Sequence, residues 1–273
     1  MILIKLYDRI FLTLTGEPQV KLGLIGVGVV GGTLKRWLEE NTNNEIACYD
    51  PAKNLKDDLE GCFAIFISIP VGPGINGQDT KELAETIKFA KKYSPHVFIR
   101  STVNPWTNDA HGTYAMPEFL TARRAYEDFC ALPLVFGSAP KEVIESIFWK
   151  KIQADGKYIH ITNVEAELAK YTHNIFGLYK VTYFNMIFKI AQFFDADFES
   201  VKEAANVTGF LGTEHLQVPG PDGKLGFGGA CFPVNLDCWI PFLNRCNQLS
   251  YNKMQEVEDL FLTIKKFNSK IRK

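Results

Sequence analysis

The sequence predicts an α/β chain in two parts: an N-terminal parallel-sheet domain over 1–161, followed by an all-helical domain over 162–273 built on one long central helix. Three observations predict it. Apolar strand-like runs alternate with helix-spaced segments through the first half. A glycine turn directly follows the first strong run. After about residue 162 the helical pattern runs unbroken to about Phe194, and no strand-like segment follows.

In chain order, Val20–Ile25 is a β-branched run that stops at glycine, and Gly28–Glu40 places Val29, Leu34, Trp37 and Leu38 at helical spacing. Glu45–Tyr49 ends at the turn signal Asp50-Pro51. Cys62–Ile69 is apolar at almost every position, as a strand covered on both faces should be. Asp79–Lys92 is an amphipathic helix with Leu83, Ile87 and Ala90 on one face, and His96–Ser101 is another buried strand. Leu132–Phe136 and Tyr158–Ile161 add strands around a helix at Lys141–Lys150. Asn163 is the expected cap of the long helix, with Glu165 and Glu167 favouring its dipole. Phe198–Val207, Pro233–Arg245 and Tyr251–Phe267 complete the helices, around a glycine-rich loop at Thr208–Gly229. Met1–Gln19 reads either as an extra strand or as a disordered arm.

Thirty basic against thirty-one acidic side chains give a net charge of −1, so no global field recruits nucleic acid or an anionic membrane. The longest apolar runs are about half a membrane span, and Met1–Thr15 lacks signal-peptide features, so a cytoplasmic protein is expected. The six cysteines show no CxxC pair and the five histidines no metal-ligand spacing, so no metal is expected.

Gly26-Val-Gly28-Val29-Val30-Gly31 stands between a strand and a helix, where glycines permit a tight turn, approach of a pyrophosphate and close helix–strand packing. Asp50, about twenty residues on, suits the ribose hydroxyls of NAD and repels a 2′-phosphate; nearby Lys53 weakens that preference. The domain is therefore read as a Rossmann-type NAD-binding domain. The other reading is a structural turn beside a solvated aspartate. Cys231, in Gly226-Phe227-Gly228-Gly229-Ala-Cys231-Phe-Pro233, begins a helix, where the dipole favours thiolate and a nucleophilic role. Composition alone equally allows a buried structural cysteine.

Together with Val218–Gly223, Met116-Pro-Glu118-Phe119-Leu120 and Glu167-Leu-Ala-Lys170-Tyr-Thr-His-Asn174, the Cys231 segment resembles the UDP-glucose/GDP-mannose 6-dehydrogenases. The resemblance runs from about Lys21 to the end. It implies oxidation of a nucleotide sugar at C6 to the carboxylate with NAD as cofactor, through a thiohemiacetal and thioester on Cys231. It further implies that Lys170 and Asn174 stabilise the substrate oxygen, that Glu118 activates the hydrolytic water, and that Thr102 helps place that water. Phe119, Leu120 and the Phe227–Gly229 loop would contact the sugar nucleotide, and Pro70 and Thr102 the cofactor. A homodimer through the long helix is implied too, since Ile175, Leu178, Tyr179, Thr182, Tyr183, Met186, Ile187 and Ile190 outrun what a small helical domain covers. The alternative is that the two C-terminal helices bury all of it.

Three departures qualify the resemblance. Val234 and Asn235 stand where the family has Lys and Asp, and Asn235 cannot accept a proton at neutral pH, so impaired turnover is expected. Val71-Gly-Pro-Gly74 replaces a Pro-Thr-Pro turn. The family also continues into a second α/β domain for the nucleotide end, so either a separate chain supplies one or the substrate binds weakly. Two other functions stay open: a single-step 3-hydroxyacid-type dehydrogenase, which needs no cysteine, and a non-catalytic NAD-binding dimerisation subunit.

Overall fold

The computed structural model describes residues 11–12, 18–75, 77–155, 158–249 and 253–272. Of Met1–Gln19, only the paired strands β1 (Phe11–Leu12) and β2 (Pro18–Gln19) are described; the rest of that expectation lies outside the described residues. The chain divides into two compact units, one of residues 1–71 and 79–170, the other of 72–78 and 171–273.

In the first unit, β3 (Lys21–Ile25) leads through the glycine turn into α1 (Val29–Asn41), followed by β4 (Glu45–Asp50), β5 (Leu55–Lys56) and β6 (Ala64–Ile67). Then come α2 (Lys81–Ala90), β9 (His96–Ile99), the short α3 (Thr107–His111), β10 (Tyr114–Ala115), α4 (Ala125–Ala131), β11 (Val135–Gly137), α5 (Lys141–Asp155) and β12 (Ile159–Ile161). The sheet order is β12-β11-β10-β9-β6-β3-β4-β5. It is mixed rather than wholly parallel. β5 returns antiparallel because only one turn, Pro51–Lys53, joins it to β4, too short for a crossover. β11 also runs antiparallel to β10, through the single pair Ala115↔Gly137.

β3, β4, β6 and β9 are parallel and in register, with Ile25 opposite both Tyr49 and Ile67 and Ile67 opposite Ile99. Their carboxyl ends therefore meet along one edge, from which the Gly26 turn, Asp50, Ser68–Pro70 and Arg100–Thr102 emerge. In open α/β sheets ligands bind at that edge. Every residue of β6 and β9 is buried, because apolar layers cover both faces of the sheet.

The 31-residue α6 (Asn163–Phe193) begins in the first unit and continues into the second. Asn163 is not its cap. The Thr162 hydroxyl accepts from the Glu165 N–H (3.3 Å), and the Glu165 carboxylate accepts from the Thr162 N–H (2.8 Å), forming a capping box. The Asn163 side chain instead accepts from the Ala115 N–H and donates to Asp109 and the Thr113 carbonyl, tying the helix start to β10 and α3.

The second unit consists of the rest of α6 with α7 (Phe198–Ala205), α8 (Phe232–Leu249), α9 (Gln255–Ile271) and the strand pair β7 (Pro73–Gly74) and β8 (Gly77–Gln78). Tyr171, Ile175, Leu178, Phe227, Leu236, Ile240, Leu243, Phe261 and Ile264 form its main core, with Tyr171 stacked on Trp239 at 4.4 Å. The strand pair packs on α8, where the Gln78 side chain meets the buried Cys238 thiol. Among the expected dimer residues, Ile175, Leu178 and Thr182 are buried within this unit, whereas Tyr183, Met186 and Ile190 are 42–53% exposed.

Candidate functional site

The glycine turn has the cradle its spacing predicts. Gly26 sits at φ +83°, and a Cβ there would lie 2.6 Å from the Ser68 carbonyl oxygen; a Cβ on Gly31 would collide with the Gly26 carbonyl. Gly28 differs: a Cβ there meets nothing, so packing does not demand glycine and the space in front of it is open. No side chain caps α1, which leaves its first-turn N–H groups free for an anion. Val29 is exposed, Val30 half-buried and Pro70 exposed. One Asp50 carboxylate oxygen accepts from the Val27 N–H (2.8 Å), and the Lys53 ammonium donates to the Val27 carbonyl, so the two side chains hold the turn's peptide from both ends. These residues fit a dinucleotide: a close-approach turn, uncapped helix N–H groups and an acidic side chain after the second strand.

Along the same edge, Lys170 donates to Glu118 at 2.9 Å, with side-chain exposures of only 6% and 14%. The other Glu118 oxygen accepts from the Leu120 N–H (2.7 Å), and the Lys170 ammonium stands 5.5 Å from the centre of the Phe119 ring. Burial pushes the Glu118 carboxyl up, but Lys170, the Leu120 N–H and Arg100 outweigh it and hold the group below the usual carboxylate range. Arg100 was missed by sequence reasoning. Its guanidinium is buried, its Nε has no partner among the described residues, and desolvation pulls its pKa down to about 10. The only cue was its place directly before Ser101-Thr102, and a lone arginine there carries no pattern.

A small pocket opens beside this pair, lined by Thr102, Val103, Asn108, Pro117, Glu167 and Lys170. Glu167 does not serve its own helix's dipole. Its buried carboxylate accepts from the Trp106 N–H, the Asn108 N–H and the Asn108 side-chain amide, each at 2.8 Å, and so fixes the turn after Thr102. Burial raises its pKa despite those bonds. The first unit thus brings together Thr102, Glu118, Phe119, Leu120 and Lys170.

The remaining candidates belong to the second unit. Asn174 is buried, one turn beyond Lys170 on α6. Cys231 is exposed, immediately before α8. Its carbonyl accepts twice from Asn235, from the backbone N–H (2.9 Å) and from the side-chain amide (2.7 Å). The Asn235 amide oxygen is buried and has no partner among the described residues. Phe227 is buried in the core, Gly228 half-buried and Gly229 exposed. Among the described residues no three His, Cys, Asp or Glu side chains are grouped to hold a metal, and no helix is long and apolar enough to cross a membrane.

A mostly parallel sheet with a phosphate-type turn, followed by a long helix, defines the fold of the Rossmann-type dehydrogenases. Residues 164–260 match the model of the UDP-glucose/GDP-mannose dehydrogenase family, central domain, which bears out the resemblance across the helical half. A putative UDP-glucose 6-dehydrogenase of Bacillus subtilis, YtcA, is 27% identical over 207 residues, covering 68% of this chain and 47% of that protein. A GDP-mannose 6-dehydrogenase of Pseudomonas savastanoi pv. phaseolicola is 27% identical over 164 residues, 55% of this chain and 36% of its own. The chain therefore spans less than half the length of these relatives. Among solved structures, a UDP-glucose dehydrogenase from Pyrobaculum islandicum superposes with a TM-score of 0.73 at 19% identity, over 94% of this chain and 70% of that one. At that identity the likeness establishes the fold.

Proposed function

We propose that this chain takes part in NAD-dependent oxidation of a nucleotide sugar at C6, carrying the alcohol to the carboxylate. The observation that carries the reading is the buried Glu118–Lys170 pair on the edge of the sheet where the glycine cradle also opens. NAD+, held by the Gly26–Gly31 turn and Asp50, supplies a hydride acceptor.

The chain's own residues take the other roles. Loss of a first hydride turns the C6 alcohol into the aldehyde, to which the Cys231 thiol adds as a thiohemiacetal. Loss of a second hydride leaves a thioester, which water cleaves to the carboxylate and the free thiol, one NAD+ being needed for each hydride. Lys170 and Asn174 stabilise charge on the C6 oxygen. Glu118, with Thr102 placing the water, is the base for hydrolysis. Paired with Lys170, Glu118 is ionised and a weak base, so this role requires Lys170 to exchange it for the substrate oxygen. Phe119, Leu120 and Phe227–Gly229 contact the sugar nucleotide. A homodimer through the exposed Tyr183, Met186 and Ile190 face of α6 accompanies the reading, and sedimentation reads it directly.

Purified protein mixed with NAD+ and UDP-glucose or GDP-mannose, followed at 340 nm, tests the function. Two NADH per sugar supports the four-electron reaction, one points to a single-step dehydrogenase, and none across both sugars points to a non-catalytic subunit. Asn235 is expected to slow turnover, because an amide cannot take a proton. Asn235→Asp should therefore raise kcat severalfold; an unchanged rate removes Asn235 from the proposed chemistry.

A further inference from the structure

We propose that Asn268 and Arg272, at the end of α9, are positioning residues that fix the loop leading to Cys231. This rests on the reading of Cys231 as the nucleophile. The loop enters the core at Phe227 and leaves it at Gly229, and each peptide group on the way in is held by a side chain rather than by other backbone. Asn268 accepts from the Phe227 N–H (2.8 Å) and donates to the Phe227 carbonyl (3.1 Å), closing a two-bond pair on one residue. Asn185 on α6 accepts from the Gly226 N–H (2.8 Å).

The Arg272 guanidinium reaches the Leu225 and Gly226 carbonyls (3.4 and 3.3 Å) and pairs with Asp222. It also occupies the space a Cβ would need at Gly228, so the guanidinium lies against the bare Cα of that glycine. Beyond this clamp a Cβ on Gly229 meets nothing, and the next hold on the chain is Asn235 on the Cys231 carbonyl, while Cys231 itself is exposed. Only two residues, Gly229 and Ala230, thus separate the last clamped position, Gly228, from Cys231, so the clamp helps set where the thiol stands.

Asn268→Leu removes both Phe227 bonds at nearly constant volume. Hydrogen exchange then reads the 226–229 amides, and iodoacetamide labelling resolved by peptide reads Cys231 against Cys130, an exposed cysteine of the first unit. Exchange at Phe227 should rise about tenfold or more, as loss of two hydrogen bonds predicts. The Cys231 labelling rate should change severalfold while that of Cys130 holds. Asn268→Asp, which keeps the acceptor for the Phe227 N–H, should restore most of the protection. Unchanged exchange and labelling in a folded Asn268→Leu protein would overturn the proposal, as would an equal change at Cys130. Should that variant not fold, Arg272→Gln is read in the same way at Gly226 and Gly228. Neither measurement needs turnover, so it stands or falls separately from the enzymatic reading.

Discussion

The two units treat their reactive groups in opposite ways. In the first, Glu118 and Lys170 are buried, paired with each other and backed by Arg100, and the neighbouring turn is locked by a second buried carboxylate, Glu167. In the second, Cys231 stands in solvent at the head of α8, and the order around it comes from hydrogen bonds to backbone, given by the amides of Asn235 and Asn268 and by the Arg272 guanidinium. Charge buried in low dielectric is costly unless paired, so the first arrangement resists change and responds to pH. Amide bonds to backbone are individually weak and indifferent to pH, so the second is adjustable.

The largest expected effect that separates the units is Lys170→Met, which leaves Glu118 buried without its main cation. It should cost about 3 kcal/mol of stability, the usual loss on breaking a buried pair, read from denaturant midpoints. The same variant tests the pH dependence. The Glu118 pKa is depressed in the fold, so its contribution is fully present above the ordinary glutamate range and is lost as pH falls through the depressed value. Acid should destabilise the native protein more steeply than Lys170→Met.

Next in size, Glu167→Gln turns an amide donor toward either the Trp106 N–H or the Asn108 donors and should cost about 1–2 kcal/mol, seen as faster exchange at Trp106–Asn108. The smallest is Asp197→Ala in the second unit, where the Asp197 carboxylate caps α7 by accepting from the Ser200 N–H at 2.8 Å. About 1 kcal/mol is expected, confined to exchange in Phe198–Ala205. If the whole protein loosened with it, the contrast between a rigid and an adjustable unit would fail.

The glycine turn, the long buried strands and every helix but the short α3 and α4 were legible in the sequence, because each has enough residues to show a period. The two-residue strands β5, β7, β8 and β10 were not, since such short segments carry no alternation to read. The cap on α6 was written as Thr162-x-x-Glu165, yet Asn163 drew the assignment because asparagine caps helices as readily. The pairing of Glu118 with Lys170, 52 positions apart, was beyond any local pattern; the resemblance named both residues, but their contact is a product of the fold. Asn268 and Arg272 gave no signal, since a polar residue near a helix end is commonplace.

The chain leaves the first unit at residue 72, lends β7 and β8 to the second, and returns at residue 79 before leaving again within α6. The helical half is therefore discontinuous in sequence. A fragment begun at residue 171 would lose the strand pair, strip Gln78 from Cys238 and open a buried thiol on α8 to water and oxidants. Gene-level dissection of this protein has to carry residues 72–78 along with the helices, or graft them back.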